Sequence, residues 1–333
     1  MKKLCKAVLS AALFATMFGC SSASPASSAS AGAKSIKFAV IKQLDHASLD
    51  EIAQAITDEL EALAIKNGAE IDYGSVYSGQ NDQSTLKQIC DQAVADGADV
   101  IIPIATLAAQ VAVNSAEDTG TPVVYAAVSD PETAGLTGMK NVTGTSDALN
   151  TDQIIDMMLA QNPNTKKVGL LYSKSEANSA KPIKEAKAYL DAKGISYTEA
   201  TANTNDEVIA AAASLVSAGV DAVFTPTDNV IMSAELAIAE TFADAKIPHY
   251  TGADSFVRNG AFATCGVNYT DLGTKTADLA YQAFMEGYDK LDDYYLMDGG
   301  IVTVNSDTAK KLGADTSVFA KFGTVTEVAT TKE

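Results

Sequence analysis

The sequence predicts an α/β protein made of two similar lobes, each with a parallel sheet flanked by helices. Three observations carry this prediction: short apolar runs alternate with helical patterns, these runs are continuously apolar, and one strand–helix pattern occurs twice. The chain has 333 residues, which is long for one ordinary α/β domain and comfortable for two. Its composition, 47% hydrophobic and 20% charged, is typical of a globular protein.

The apolar runs at 38–41, 100–104 and 168–172 lack the alternation of a half-exposed strand. Such runs are typical of strands that are buried on both faces, as in a parallel sheet covered by helices. The helices between them have clear ends. Ser48 and Glu51 predict a capping box at the start of the first helix, and Asn67-Gly68 predicts its end.

A helix that opens at Asn81-Asp82 leads into the strand 100–104, and a helix that opens at Asn205-Asp206 leads into the strand 222–225. In both halves a second helix follows, and then a strand that begins after a proline. The offset of about 124 residues is far longer than the period of a solenoid, so the pattern predicts two lobes. Because ligands of such sheets bind beyond the carboxyl ends of the strands, two facing lobes predict a cleft between them.

The N-terminus has the features of a secretory signal. Lys2, Lys3 and Lys6 precede the apolar run 7–18, which is shorter than the roughly 20 residues that span a bilayer. Gly19-Cys20 then resembles the end of a bacterial lipobox.

We therefore predict a signal peptide at 1–19 and a lipidated Cys20. A flexible tether rich in serine, alanine and glycine follows, so that 20–35 forms the anchor segment. Met17 and Phe18 depart from the usual lipobox residues, and a plain secretory signal is the alternative. Of the remaining cysteines, Cys90 and Cys265, the sequence neither requires nor excludes a disulfide.

The net charge and the absence of catalytic motifs argue against several classes of function. The formal net charge of −18 disfavours binding to nucleic acid. The sequence has no Gly-x-Ser-x-Gly elbow, no Walker A loop, no Gly-x-Gly-x-x-Gly and no histidine–cysteine cluster with metal spacing. We predict no catalytic residues, no metal and no cofactor, although a pair of carboxylates leaves acid–base catalysis as an alternative.

Six short stretches, nearly all just after predicted strands, carry a family resemblance. They are 45–50, 105–110, 127–131, 175–179, 226–229 and 252–254. With these stretches the chain resembles the substrate-binding lipoproteins of ABC importers that have the type I periplasmic-binding-protein fold. Within that family it resembles the branch that binds aromatic amino acids, tryptophan or tyrosine.

The resemblance implies two Rossmann-like lobes that the chain connects by three crossings. Lobe 1 is then expected at 36–146 plus 262–293 and lobe 2 at 147–261 plus 294–325, with a tail at 326–333. It also implies a monomer that is anchored to the extracytoplasmic face of the cell membrane and closes by a hinge on its ligand. An ABC permease and an ATPase are the expected partners. The alternatives are the same fold with a sugar or nucleoside ligand, or a surface adhesin or sensor module.

An amino acid would need donors for its carboxylate and acceptors for its ammonium. Helix N-termini favour the carboxylate, and nearby hydroxyl and amide groups can add hydrogen bonds. The predicted hydroxyl donors are Thr106, Ser129, Ser175 and Ser179, and the predicted amides are Gln43 and Asn178. The predicted partners of the ammonium are Asp228 and Asp254, followed by Asp130 and Glu176, and Tyr125 and Phe256 are candidate aromatic walls. Each polar residue could instead serve only as a helix cap or turn residue.

Overall fold

Two sheets covered by helices form the part of the chain that the computed structural model describes, residues 35–331. The strands are β1 Ile36–Lys42, β2 Ile71–Asp72, β3 Tyr77–Ser78, β4 Val100–Ile104, β5 Val123–Tyr125, β6 Val142–Ser146, β7 Lys167–Tyr172, β8 Ser196–Thr201, β9 Ala222–Thr225, β10 His249–Thr251, β11 Ala263–Gly266, β12 Tyr295–Leu296, β13 Ile301–Asn305 and β14 Val325–Val328. The α-helices are α1 Ala47–Asn67, α2 Gln83–Ala95, α3 Thr106–Ala116, α4 Thr151–Gln161, α5 Ala177–Lys193, α6 Asn205–Ser217, α7 Asn229–Asp244, α8 Asp254–Arg258, α9 Tyr269–Glu286 and α10 Ser306–Leu312. The predicted signal peptide and lipidation at Cys20 lie outside the described residues.

The first sheet has the strand order β12-β6-β5-β4-β1-β2, with β3 also paired to β1, and all its pairs are parallel. The second sheet has the order β14-β13-β11-β10-β9-β7-β8 and is parallel except between β11 and β13. We call the first sheet with α1, α2, α3 and α9 lobe 1, and the second sheet with α4–α8 and α10 lobe 2. The predicted fold class is confirmed.

The continuously apolar runs are buried strands, as expected. Every residue of β4 and β9 is buried, because helices cover both faces of each sheet. The helix ends follow from local chemistry: Asp82 caps α2 by accepting a hydrogen bond from the Thr85 N–H, and Gly68 ends α1 with a φ of 61°. The predicted capping box of Ser48 and Glu51 is wrong, because both side chains bond to lobe 2 instead.

The chain crosses between the sheets after β6, after β11 and after β12. The first crossing lies at the predicted position, but the predicted crossings at 262 and 294 come too early. β11 pairs with β10 in the second sheet, and β12 pairs with β6 in the first. Both are short strands beside the crossings, and only pairing, not hydrophobic pattern, decides to which sheet they belong.

The predicted tail at 326–333 is also corrected. β14 pairs in parallel with β13, and the backbone N–H of Thr331 donates to the Arg258 carbonyl at 2.8 Å. Residues 325–331 therefore form an edge of lobe 2. Cys90 and Cys265 are free and buried in different core clusters, so they form no disulfide.

Candidate functional site

The carboxyl ends of the strands of both lobes enclose a small cavity with about 20 Å³ of free volume. Lobe 1 and its crossings contribute His46, Ser48, Leu49, Ala105, Thr106, Ala127, Ser129, Asp147 and Tyr269, and lobe 2 contributes Asn178, Thr227, Asp228, Asn229, Met232 and Phe256. Among residues 35–331, no cluster of histidine, cysteine and acidic side chains is arranged to hold a metal ion.

Four polar residues of lobe 1 form a row along the edge of its sheet. Asp147 follows β6, Ser129 follows β5, Thr106 follows β4 and His46 follows β1, which is the order of these strands in the sheet. Thr106 begins α3, where the first backbone N–H groups have no acceptor within the helix. Its Oγ1 is shielded from solvent and has no hydrogen-bond partner. This hydroxyl is therefore free to bind a group inside the cavity.

Backbone strain marks the same edge. Ala105 and Ala127 line the cavity with φ values of 80° and 55°, in the region that favours glycine. Such conformations cost about 1–3 kcal/mol for other residues and persist where surrounding structure enforces them. Ala105 lies directly before Thr106, and Ala127 lies in the loop after β5 that leads to Ser129.

At one end of the row, Asp147 is buried among hydroxyl groups. Ser129 donates to its Oδ1 at 2.8 Å and Tyr269 donates to its Oδ2 at 3.0 Å. Ser129 also meets Thr227 of lobe 2 at 3.1 Å. Burial raises the pKa of Asp147, and within residues 35–331 no cationic side chain pairs with it. A cationic group in the cavity would therefore stabilise its ionised form.

In lobe 2, Asp228 lines the cavity but its carboxylate is used within its own lobe. It caps α7 through the Ile231 N–H at 3.0 Å. Its other oxygen accepts from the Ser173 N–H and the Ser179 hydroxyl, both at 2.7 Å. Burial raises the pKa of Asp228, and these three donors favour its ionised form. Asp228 therefore holds three segments of lobe 2 together.

A chain of side chains joins the lobes beside the cavity. Gln43 donates to Glu176 Oε1 at 2.8 Å, and Asn229 donates to Glu176 Oε2 at 2.6 Å. Asn229 Oδ1 lies 3.0 Å from His46 Nε2, whereas His46 Nδ1 is shielded from solvent without a partner. Burial lowers the pKa of His46 to about 4. For Glu176, burial and then the nearby charge of Asp228 raise the pKa to about 7.

Two further contacts join the lobes at the rim. Ser48 on α1 hydrogen-bonds to Ser255 on α8. Arg258 on α8 pairs with Glu51 on α1 and with Asp254 in its own helix. These contacts require the lobes to be close together, so the structure represents a closed form.

The structure brings four of the ten predicted ligand-binding residues into the cavity lining: Thr106, Ser129, Asn178 and Asp228. The predicted wall Phe256 joins them, whereas Tyr125 is buried inside lobe 1. The ligand-binding roles of these residues stay predictions.

The other six predicted residues do not line the cavity, each for a local reason. Gln43 and Glu176 lie behind His46 and Asn229; Ser175 bonds to Ser173 and Ser179 to Asp228; Asp130 accepts from the Thr133 N–H at 3.1 Å; Asp254 pairs with Arg258. Turn geometry thus explains Asp130, whereas bonds to other side chains hold the remaining five.

Sequence reasoning missed Asp147, Tyr269 and the inward role of His46. Asp147 and Tyr269 lie beside the crossings between the lobes, where neither strand nor helix pattern is strong. The one usable signal for Tyr269 was Asn268, which caps α9 by accepting from the Asp271 N–H.

Comparison with known proteins shows the family to which this chain belongs. A family model described as ABC transporter substrate binding protein matches residues 37–318. A tyrosine-binding protein of Clostridioides difficile (strain R20291) is 33% identical over 293 residues, which cover 84% of either chain.

Two solved structures are similar in fold and sequence. One is an ABC domain in complex with L-Trp from Streptococcus pneumoniae, with 31% identity, a TM-score of 0.79, and coverage of 88% of this chain and 100% of that chain. The other is the ligand-free, open structure of a substrate-binding protein with adhesive properties from Clostridium difficile, with 29% identity, a TM-score of 0.65, and coverage of 89% and 100%. The higher score with the ligand complex agrees with the closed arrangement of the lobes.

Proposed function

Because this chain belongs to the ABC transporter substrate-binding proteins, a family that binds substrates and is not enzymatic, we propose that it captures an aromatic amino acid for an ABC importer. The observation that carries the proposal is the closed cavity with a buried carboxylate, Asp147, at one end and a free hydroxyl, Thr106, at a helix N-terminus. This pairing suits a zwitterion, which needs an anionic site for its ammonium and a hydrogen-bond donor for its carboxylate.

In this proposal the ligand ammonium binds Asp147 and its carboxylate binds the first turn of α3 through Thr106. Ser129, between the two, donates to Asp147 and can accept from the ammonium. Leu49, Met232 and Phe256 supply an apolar slot for a side chain. The tyrosine-binding relative and the relative in complex with L-Trp support an aromatic side chain in that slot.

Capture then proceeds by hinge closure. In an open form the cavity is accessible, and ligand that touches both lobes stabilises the closed form. The bonds Ser129–Thr227 and His46–Asn229 are made only on closure, so ligand binding and lobe contact support each other. The closed surface is what a permease would recognise, while an ATPase subunit would supply the energy for transport.

We further propose that the protein is held at the extracytoplasmic face of the membrane by a lipid on Cys20, as the N-terminal sequence predicts. None of the helices within 35–331 is both long and apolar enough to cross a membrane. A second role in adhesion is suggested by the relative with adhesive properties.

A ligand screen tests the proposal. Purified protein is heated with single amino acids, sugars and nucleosides, and hits are titrated by calorimetry. Ligand at 100 times its dissociation constant stabilises a protein by about 2.7 kcal/mol, which shifts the melting temperature by several degrees at most in a chain of this size. We expect shifts with tyrosine, tryptophan or phenylalanine. A shift only with a sugar or nucleoside would show that the ligand belongs to that class and not to the amino acids. No shift with any compound would contradict the proposal.

A further inference from the structure

His46 lines the cavity and has a buried acceptor, Nδ1, that the binding of a zwitterionic head group leaves unused. Its Nδ1 is shielded from solvent and has no hydrogen-bond partner, although the ring lines the cavity. We infer that His46 is a specificity-determining residue that selects ligands carrying a hydrogen-bond donor at the far end of an aromatic side chain. The donor would be the phenol O–H of tyrosine or the indole N–H of tryptophan, so phenylalanine would be disfavoured. This inference rests on the proposed function.

A backbone N–H group fixes the orientation of the hydrogen-bond network that ends at His46. The Leu107 N–H, in the first turn of α3, donates to Gln43 Oε1 at 3.2 Å. A backbone N–H can only donate, so the Gln43 amide cannot be turned around. Its Nε2 must therefore point the other way, where it donates to Asn81 Oδ1 at 2.9 Å and to Glu176 Oε1 at 2.8 Å.

Glu176 in turn fixes the orientation of the next amide, which is Asn229. Above its pKa of about 7 the Glu176 carboxylate is ionised and only accepts, so the group of Asn229 that lies 2.6 Å from Oε2 must be the donating Nδ2. Asn229 then presents its carbonyl oxygen to His46. An oxygen that only accepts requires the proton of His46 to be on Nε2.

A neutral imidazole with its proton on Nε2 has a bare lone pair on Nδ1. The ring is neutral because burial lowers the pKa of His46 to about 4. The neighbouring hydroxyl of Ser48 is bonded to Ser255 across the lobes. A buried acceptor without a donor is unfavourable, so the closed form favours a ligand that supplies one.

The position of His46 matches the far end of a long ligand. His46 follows β1, whereas Asp147 follows β6, three strands away in the sheet. At about 4.8 Å between neighbouring strands, the two ends of the row are ~14 Å apart. An aromatic amino acid with its ammonium at Asp147 can reach towards His46, and a hydrogen bond at each end takes up the rest.

The test compares ligands that differ by one hydroxyl. Dissociation constants for L-tyrosine and L-phenylalanine are measured by calorimetry in wild type and two variants. In His46→Gln the amide can replace Nε2 and its bond to Asn229, but the acceptor at Nδ1 is lost. In His46→Asn the amide oxygen replaces Nδ1, but the bond to Asn229 is lost.

We expect wild type to bind tyrosine at least about tenfold more tightly than phenylalanine, because a buried acceptor is left unpaired by the latter. His46→Gln should bring the ratio close to one with little change for phenylalanine, and His46→Asn should keep the preference. If His46→Gln weakens the binding of tyrosine and phenylalanine equally, the inference is overturned, since the result would place His46 at the head group or in a structural role. A wild-type ratio near one would overturn it as well.

A second test uses Glu176→Gln, a variant outside the cavity lining, and reads the protonation of His46 by ¹⁵N spectroscopy. In Glu176→Gln, the fixed Gln43 donor requires the new carbonyl to face it, so the new amide N–H group faces Asn229. Asn229 must then turn, donate to His46 Nε2 and drive the proton to Nδ1. The chain has only two histidines, so their side-chain ¹⁵N signals are readily assigned.

We expect ¹⁵N spectra of wild type, recorded at a pH above the pKa of Glu176, to show an unprotonated Nδ1 for His46 that shifts on adding tyrosine but not phenylalanine. Glu176→Gln should show a protonated Nδ1 and a lower preference for tyrosine. A protonated Nδ1 in wild type would refute the inference while leaving amino-acid capture intact. If tyrosine, tryptophan and phenylalanine all fail to bind wild type, the proposed function fails first.

Discussion

Replacing Asp147 by asparagine tests the charge that we place against the ligand ammonium. Asparagine has nearly the same shape, so the hydroxyls of Ser129 and Tyr269 keep a partner: one donates to the new carbonyl and the other accepts from the new amide. The substitution therefore removes the negative charge and little else. Ligand-free Asp147→Asn should melt no lower than wild type, because Asp147 has no cationic partner whose loss would destabilise the fold.

Binding should respond strongly. Removing one member of a buried, hydrogen-bonded charge pair costs about 2–5 kcal/mol. With tenfold in affinity for each 1.4 kcal/mol, the dissociation constant should rise roughly 30-fold to several thousand-fold. Calorimetry with L-tyrosine and L-tryptophan measures this change directly.

The matched control is Asp130→Asn, which makes the same change of charge in the loop after β5. Asp130 accepts from the Thr133 N–H and does not line the cavity. The affinity of Asp130→Asn for the ligand should therefore stay within about threefold of wild type. Similar losses in both variants would indicate a general effect of charge. An Asp147→Asn protein that binds as tightly as wild type would refute the position of the ammonium.

Two other predictions concern closure and pH. Glu51→Gln removes the ion pair with Arg258 across the rim, and because this partly exposed pair contributes about 0.5–1 kcal/mol, ligand should dissociate two- to fivefold faster in stopped-flow measurements. High salt should reduce the difference from wild type, and a variant that releases ligand more slowly would contradict a closing role. For Glu176, burial and then Asp228 raise the pKa from 4.5 to about 7, so the folded state binds this proton more tightly than the unfolded state. Its contribution to stability is complete below about pH 4.5 and is lost as pH rises through 7, so the melting temperature of wild type should fall over this interval more steeply than that of Glu176→Gln. Equal slopes in the two proteins would show that Glu176 is not the titrating group.

The site shows where sequence reasoning reaches its limit. Asp228 follows a strand and precedes a helix, which predicts an exposed carboxylate at the cavity. The same position also makes it a helix cap, and only the folded chain shows that Ser173, Ser179 and Ile231 use up its acceptor sites. Mutation of Asp228 would therefore disturb lobe 2 as well as any ligand contact. Asp254 is similar, since Arg258 lies one helical turn away and pairs with it.

Ser48 and Glu51 show the same ambiguity at a helix start. Their spacing predicts a capping box, yet α1 begins at Ala47 and both side chains reach across to α8. A pattern within one helix cannot show that another lobe offers a stronger partner. The closed cavity depends on such contacts between the lobes, and so does the direction that we infer for the His46 proton.

The α/β class, the two-lobe organisation and the edge of each sheet where polar loops gather could be predicted from the sequence. These properties follow from periodic burial, helix capping and glycine stops, which act over a few residues and leave a local pattern. Three features became visible only in the folded chain: the sheet to which β11 and β12 belong, the pairing of Asp147 with Ser129 and Tyr269, and the network from Leu107 to His46. Those features join residues that are far apart in the chain, and their hydrogen bonds exist only once packing has brought donor and acceptor within about 3 Å.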